Sequence, residues 1–167
     1  MLEWPDSHNR SLSSLLYISP GTNRQLARDV LGWPPGESIL PDLLMIMVVE
    51  DDPIIQALVD EALCDGGYEP AVAASGEEAV TLLRGNRHQY RALVSGICLK
   101  GTMDGWEVAQ RAREIDPTFP IIYMTGAAAD EWASRGVPNS ILLTKPFAPA
   151  QLVTAISQLL NAGTPPT

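Results

Sequence analysis

The sequence contains no run of lysine or arginine anywhere in its 167 residues. With 11 Lys+Arg against 20 Asp+Glu, its formal net charge is -9. An acidic chain without a basic patch repels phosphate backbones and anionic headgroups, so nucleic acid and membrane surfaces are poor partners. Long apolar runs are missing too. The longest, Leu43 to Val49, is far too short to span a bilayer. The opening "MLEWPDSHNR" carries acids and no basic lead into an apolar stretch, which argues against a secretory leader. Cysteine is scarce. Cys64 and Cys98 lie too far apart for a metal-binding spacing and are too few for a disulfide framework, so they read as two small buried thiols in a reducing cytoplasm. What the chain does have is apolar mass, 46% of its residues, enough for a sizeable core.

That mass is unevenly placed. Residues 1–44 are rich in Ser, Pro, Asn and Trp and carry breakers at "SPG" and "WPPGES". They read as a tail or linker, either disordered or holding one short helix from Asn23 to Leu31. Periodicity begins at Met45, and Met45 or Met47 is itself a candidate start. "MIMVV" has no polar alternation, as expected of a strand covered on both faces. Asp52-Pro53 opens a helix with an apolar stripe of Ile54, Ile55, Leu58, Val59, Ala62 and Leu63, which "DGG" ends. "YEPAVAA" is a weaker strand whose proline suggests a sheet edge. Ser75-Gly-Glu-Glu78 is a capping-box pattern opening a helix to about Arg84. "RALVSG" is a third strand, Gly105 to Ile115 a helix with Trp106, Ala109 and Ala112 on one side, and "PIIYMTG" a fourth strand. A small-residue loop and short helix follow in "AAADEWASRG". "SILLT" is the fifth strand, and a last helix has Leu152, Ile156, Leu159 and Leu160 inside. Residues 162–167 read as a flexible end. Trp106 and Trp132 read as partly buried packing, and His88 as an exposed loop residue.

Five strands alternating with five helices imply an α/β fold with a parallel sheet and helices on both faces. In such sheets functional groups gather at the carboxyl ends of the strands. Here those ends carry Glu50-Asp51-Asp52, Ser95-Gly96, Thr125-Gly126 and Thr144-Lys145-Pro146-Phe147. Taken in this order on these elements, the set resembles the CheY-like receiver domain of two-component response regulators over residues 45–161. The resemblance implies a doubly wound, flavodoxin-like sheet of order 2-1-3-4-5. It implies that Glu50 and Asp51 are metal ligands for Mg²⁺, that Thr125 meets a phosphoryl oxygen, and that Lys145 contacts an aspartyl phosphate. Without phosphate, Lys145 is expected to bridge to Asp51. Pro146 would follow a cis bond, and Asp52 reads as a helix cap rather than a ligand.

The sequence departs from the family where the chemistry is centred. In receivers the phosphoacceptor is an aspartate at the end of the third strand; in "SGICLKGTMDG" that position is Gly96. Ser95 should point to the opposite face, and Asp104 belongs to the following turn. Lys100 stands where proline is common, and Leu142 where many receivers carry a switching Tyr or Phe. A carboxylate is the nucleophile in this phosphotransfer, and glycine has none. The expectation is therefore a single-domain, non-enzymatic pseudo-receiver that binds partner proteins, such as a histidine kinase or downstream regulator. It needs no cofactor and retains weak Mg²⁺ binding, and the resemblance implies that partners use the surface of the fourth helix, fifth strand and fifth helix, near Trp132 and Leu142. The alternative is a receiver still active in a phosphorelay, either by another route or with Gly96 a substitution in an otherwise working site. A metal-dependent phosphatase is disfavoured, because no nucleophile stands opposite the two acids.

Overall fold

The structure, a computed structural model, describes residues 43–162. The expected tail, its helix at Asn23–Leu31, and the end beyond Ala162 lie outside the described residues. In chain order the elements are β1 (Met45–Val49), α1 (Pro53–Asp65), β2 (Glu69–Ala73), α2 (Gly76–Asn86), β3 (Tyr90–Gly96), α3 (Gly105–Ile115), β4 (Ile121–Thr125), α4 (Trp132–Arg135), β5 (Ile141–Thr144) and α5 (Pro149–Ala162). Single 3₁₀ turns at Arg87–Gln89 and Ala129–Glu131 precede β3 and α4.

The caps follow from the sequence. Asp52 accepts from the Ile54 N–H at 2.8 Å, with Pro53 in the first turn of α1. At α2 the Ser75 hydroxyl accepts from the Glu78 N–H, while the Glu78 carboxylate reaches back to the N–H of Ala74, one residue before the usual partner in such a box. Asp104 caps α3 by accepting from the Glu107 N–H at 2.9 Å. Each cap satisfies a donor the first helical turn leaves open.

The five strands are parallel, in the order β2-β1-β3-β4-β5, so Pro70 sits on the edge strand β2. Register sets Val49 beside Ser95, Gly96 beside Met124 and Thr125 beside Thr144, which brings the strand ends into one line. Alternation divides the strands between two cores. Met47, Val49, Leu93, Ile121 and Tyr123 face α2 and α3. Ile46, Val48, Val94, Ile122 and Met124 face α1 and α5.

Several side chains sit differently from the expectations above. Trp106 is fully buried, tilted against Tyr123 with ring centroids 4.8 Å apart, because α3 presses it into the core; Trp132 is 36% exposed. Ile54 is 77% exposed, since the first turn of α1 projects past the end of the sheet. Leu159 and Leu160 are only half-buried near the end of α5, and Ala155 joins Leu152 and Ile156 inside instead. Helix α2 continues two residues past Arg84, to Asn86, and α5 includes Ala162. The thiols are not both buried. Cys64 is half-buried, and burial with nearby Asp60 and Asp65 pushes it up to about 11. Cys98 is exposed, because Ile97 takes the inward position on the loop after β3.

Candidate functional site

The site is built at the carboxyl ends of β1, β3, β4 and β5. Glu50 follows β1 immediately and is only 2% exposed. Its Oε1 accepts from the backbone N–H groups of Asp51 at 3.0 Å and Asp52 at 3.1 Å. Its Oε2 accepts from Lys145 Nζ at 2.9 Å. The Gln56 side-chain amide donates to the Glu50 backbone carbonyl at 2.5 Å, tying this turn to α1. A buried carboxylate is tolerable because both oxygens are bonded and one meets a cation.

The Lys145 ion pair is therefore to Glu50, not to Asp51 as expected. Glu50 turns inward while Asp51 lies further out, and Asp51 Oδ2 instead accepts from the Lys100 N–H at 3.1 Å. Lys145 is held by its backbone as well, its N–H donating to the Thr125 carbonyl at 2.7 Å, and a cis bond follows it at Pro146.

Gly96 closes β3 beside this pair. A Cβ placed there would lie 2.9 Å from Glu50 Oε2 and 3.3 Å from Leu99 Cδ2. The Glu50 carboxylate thus occupies the space into which any side chain at position 96 would begin to project. Ser95 shares the other face of β3 with Leu93; it is fully buried and its hydroxyl donates to the Gly96 carbonyl at 2.8 Å. The following turn packs equally close. Gly105 N–H donates to the Ile97 carbonyl at 2.8 Å, and a Cβ at Gly105 would overlap the Gly96 carbonyl oxygen, so the "MDG" glycine is demanded by backbone approach.

Thr125 ends β4, 4% exposed, and its Oγ1 accepts from the N–H groups of Ala127 at 3.2 Å and Ala128 at 2.8 Å. Both bonds use the oxygen as acceptor, which leaves the hydroxyl hydrogen to donate. Leu142 lies on β5 beside Tyr123, half-buried against the α2/α3 core. Tyr123 is buried, its OH accepts from the Val137 N–H at 3.2 Å, and burial raises it above its ordinary range.

Residues 46–157 match the family described as the response regulator receiver domain. The chain belongs to the response regulator receiver family. This receiver domain is 35% identical over 127 residues to the transcriptional regulatory protein TcrA of Mycobacterium tuberculosis, covering 73% of this chain and 49% of that protein. It is 34% identical over 122 residues to the response regulator receiver protein CpdR of Brucella abortus, covering 70% and 97%. Among solved structures, a response regulator receiver protein from Sinorhizobium medicae is 44% identical with a TM-score of 0.69, covering 72% of this chain and 96% of that one. The chain spans about half the length of the transcriptional regulators it matches. The fold and order expected of a receiver in two-component signalling are the ones found. Among the described residues no helix is long and apolar enough to cross a membrane.

Two parts of the receiver's site escaped sequence reasoning. Glu77 had no role in the sequence reading beyond its place in the capping-box stretch. Its Oε1 accepts from the Thr102 hydroxyl at 2.6 Å, the Thr102 N–H at 2.8 Å and the Met103 N–H at 3.1 Å, clamping the β3–α3 loop to α2. The Thr102 hydroxyl bond, with the backbone donors, pulls its carboxyl down to about 2. Only the adjoining "SGEE" signal was available, and it assigned a partner to Glu78. Arg135 was also missed. It bonds Asp104 at 3.1 Å, lies over the Trp106 ring, and so joins α4 to the cap of α3.

Proposed function

We propose that this receiver acts without phosphorylation at the family's acceptor position, signalling through partner proteins in the state its internal ion pair holds. One observation carries this reading. Position 96 has no side chain, and the space beside it is filled by the Glu50 carboxylate, already neutralised by Lys145 at 2.9 Å. In a phosphorylated receiver the lysine would serve the acyl phosphate; here its charge is satisfied within the apo protein.

The donor set does not suit a resident Mg²⁺. Both Glu50 oxygens are committed, Asp51 holds a backbone N–H, and no third carboxylate is present at position 96. Among the described residues no group of three His, Cys, Asp or Glu side chains is disposed to hold a metal. Mg²⁺ accepts few protein carboxylates but needs their oxygens free, so any binding here is weak and competes with Lys145. The partner is a histidine kinase or a downstream regulator. We assign contact to the α4–β5–α5 surface, where Trp132 is exposed and Leu142 is half-buried on β5.

Intact-mass measurement after incubation with acetyl phosphate and Mg²⁺ tests this, with Gly96→Asp alongside. The expected outcome is no added phosphoryl group on the native chain and one on the variant, since Thr125 and Lys145 are in place. A phosphoryl mass on the native chain overturns the reading.

A further inference from the structure

At the opposite, amino-terminal edge of the sheet lies a cleft of about 850 Å³, within the size range of small-molecule sites. It is some 20 Å from Gly96, since β3 runs its full length between them at about 3.3 Å per residue. Its charge is the reverse of the rest of this acidic chain: among the described residues Arg87, Arg91 and Arg113 line it with His88, against Asp116 as its one acid.

That acid is already spent. Asp116 Oδ1 accepts from the N–H and hydroxyl of Thr118, both at 2.9 Å, and Oδ2 pairs with Arg87. Arg87 is further fixed over the Phe119 ring, 5.5 Å from its centroid. Arg113 donates from Nε to the Phe119 carbonyl at 2.7 Å and from Nη1 to the Pro117 carbonyl at 3.3 Å. Those carbonyls orient the guanidinium without neutralising it. Arg91 is exposed and has no ion-pair partner among the described residues. Two guanidinium charges, one of them pre-oriented, therefore face the cleft with no acidic partner among the described residues. Nothing in the packing of β3 requires Arg91.

We propose that this cleft binds a small phosphorylated anion, whose two negative charges match the uncompensated arginines Arg91 and Arg113. Guanidinium forks bind phosphate oxygens in pairs, and a fixed fork loses less entropy on binding. The volume suits an organic phosphate better than the free ion.

Two-dimensional ¹⁵N–¹H spectra of the full chain, titrated with AMP, inorganic phosphate or adenosine at 50 mM salt, test the assignment. AMP is expected to give saturable shifts confined to the amides of residues 87–91 and 113–119, and adenosine none. Arg91→Glu should weaken AMP at least tenfold while the rest of the spectrum stays unchanged. If inorganic phosphate binds as tightly as AMP, the site recognises the phosphate alone; if AMP is much tighter, the organic part contributes. Shifts that do not saturate, that centre on Lys145, or that survive Arg91→Glu overturn the proposal. So does binding of a polyglutamate peptide with no binding of either phosphate.

Discussion

The two ends of the sheet handle charge in opposite ways. At the carboxyl end the charged groups nearest Gly96 are answered from within: Glu50 by Lys145 and two backbone N–H groups, Asp51 by Lys100 N–H. At the amino end two arginines face a cleft whose one acid among the described residues, Asp116, is already bonded. In this structure the carboxyl-end acids are bonded internally, closing that end on itself, whereas Arg91 and Arg113 at the amino end have no acidic partner among the described residues.

Breaking the closed end at its cation should have the largest effect. Lys145→Met strips a carboxylate that is almost entirely buried of its partner, and removing one member of a buried pair costs about 3–5 kcal/mol. Urea unfolding should show a loss of that order; a loss under about 1 kcal/mol would mean that the two backbone N–H groups hold Glu50 unaided.

Reopening the site is the next test. Gly96→Asp puts a second carboxylate against Glu50, whose Oε2 must move to admit even the Cβ. Two charges about 5 Å apart at an effective dielectric near 20 repel by roughly 3 kcal/mol before relaxation, so a net loss of about 1–3 kcal/mol is expected without metal. Millimolar Mg²⁺ should raise the melting temperature of the variant and leave the native chain nearly unmoved. Equal Mg²⁺ stabilisation of both would contradict the self-satisfied reading of the native site.

The smallest effect concerns the loop beside the closed end. The folded Glu77 carboxyl is pulled from 4.5 to about 2, first by the Thr102 hydroxyl. A carboxyl lowered in the folded state adds stability above its unfolded value, and that contribution is lost as pH falls from about 5 through 2. The slope of melting temperature against pH in that window should be shallower in Glu77→Gln. Because Glu77 is only partly buried and lies near solvent the change should be modest, and an unchanged slope would remove Glu77 from the account of acid sensitivity.

Element type and order were readable along the chain because strand and helix periods, caps and breakers are local signals. "MIMVV" read as a strand covered on both sides and Asp52-Pro53 as a helix start, and both elements are found there. Ile54 was misjudged because a stripe of apolar residues does not say where the sheet ends beneath it. Cys98 was misjudged because a loop has no period from which to read a face.

By itself, then, the sequence determined the parallel α/β order, the acidic turn after β1 and the missing side chain at Gly96, all properties of single residues or short windows. Only the tertiary structure decided which carboxylate takes Lys145, since Glu50 and Asp51 are adjacent acids and the fold buries Glu50 against Lys145 while Asp51 meets the Lys100 N–H. The clamp of Glu77 on the distant Thr102 and the gathering of Arg87, Arg91 and Arg113 around one cleft were likewise decided there. Those groups meet through strand register and helix packing, which bring together residues that no local pattern connects.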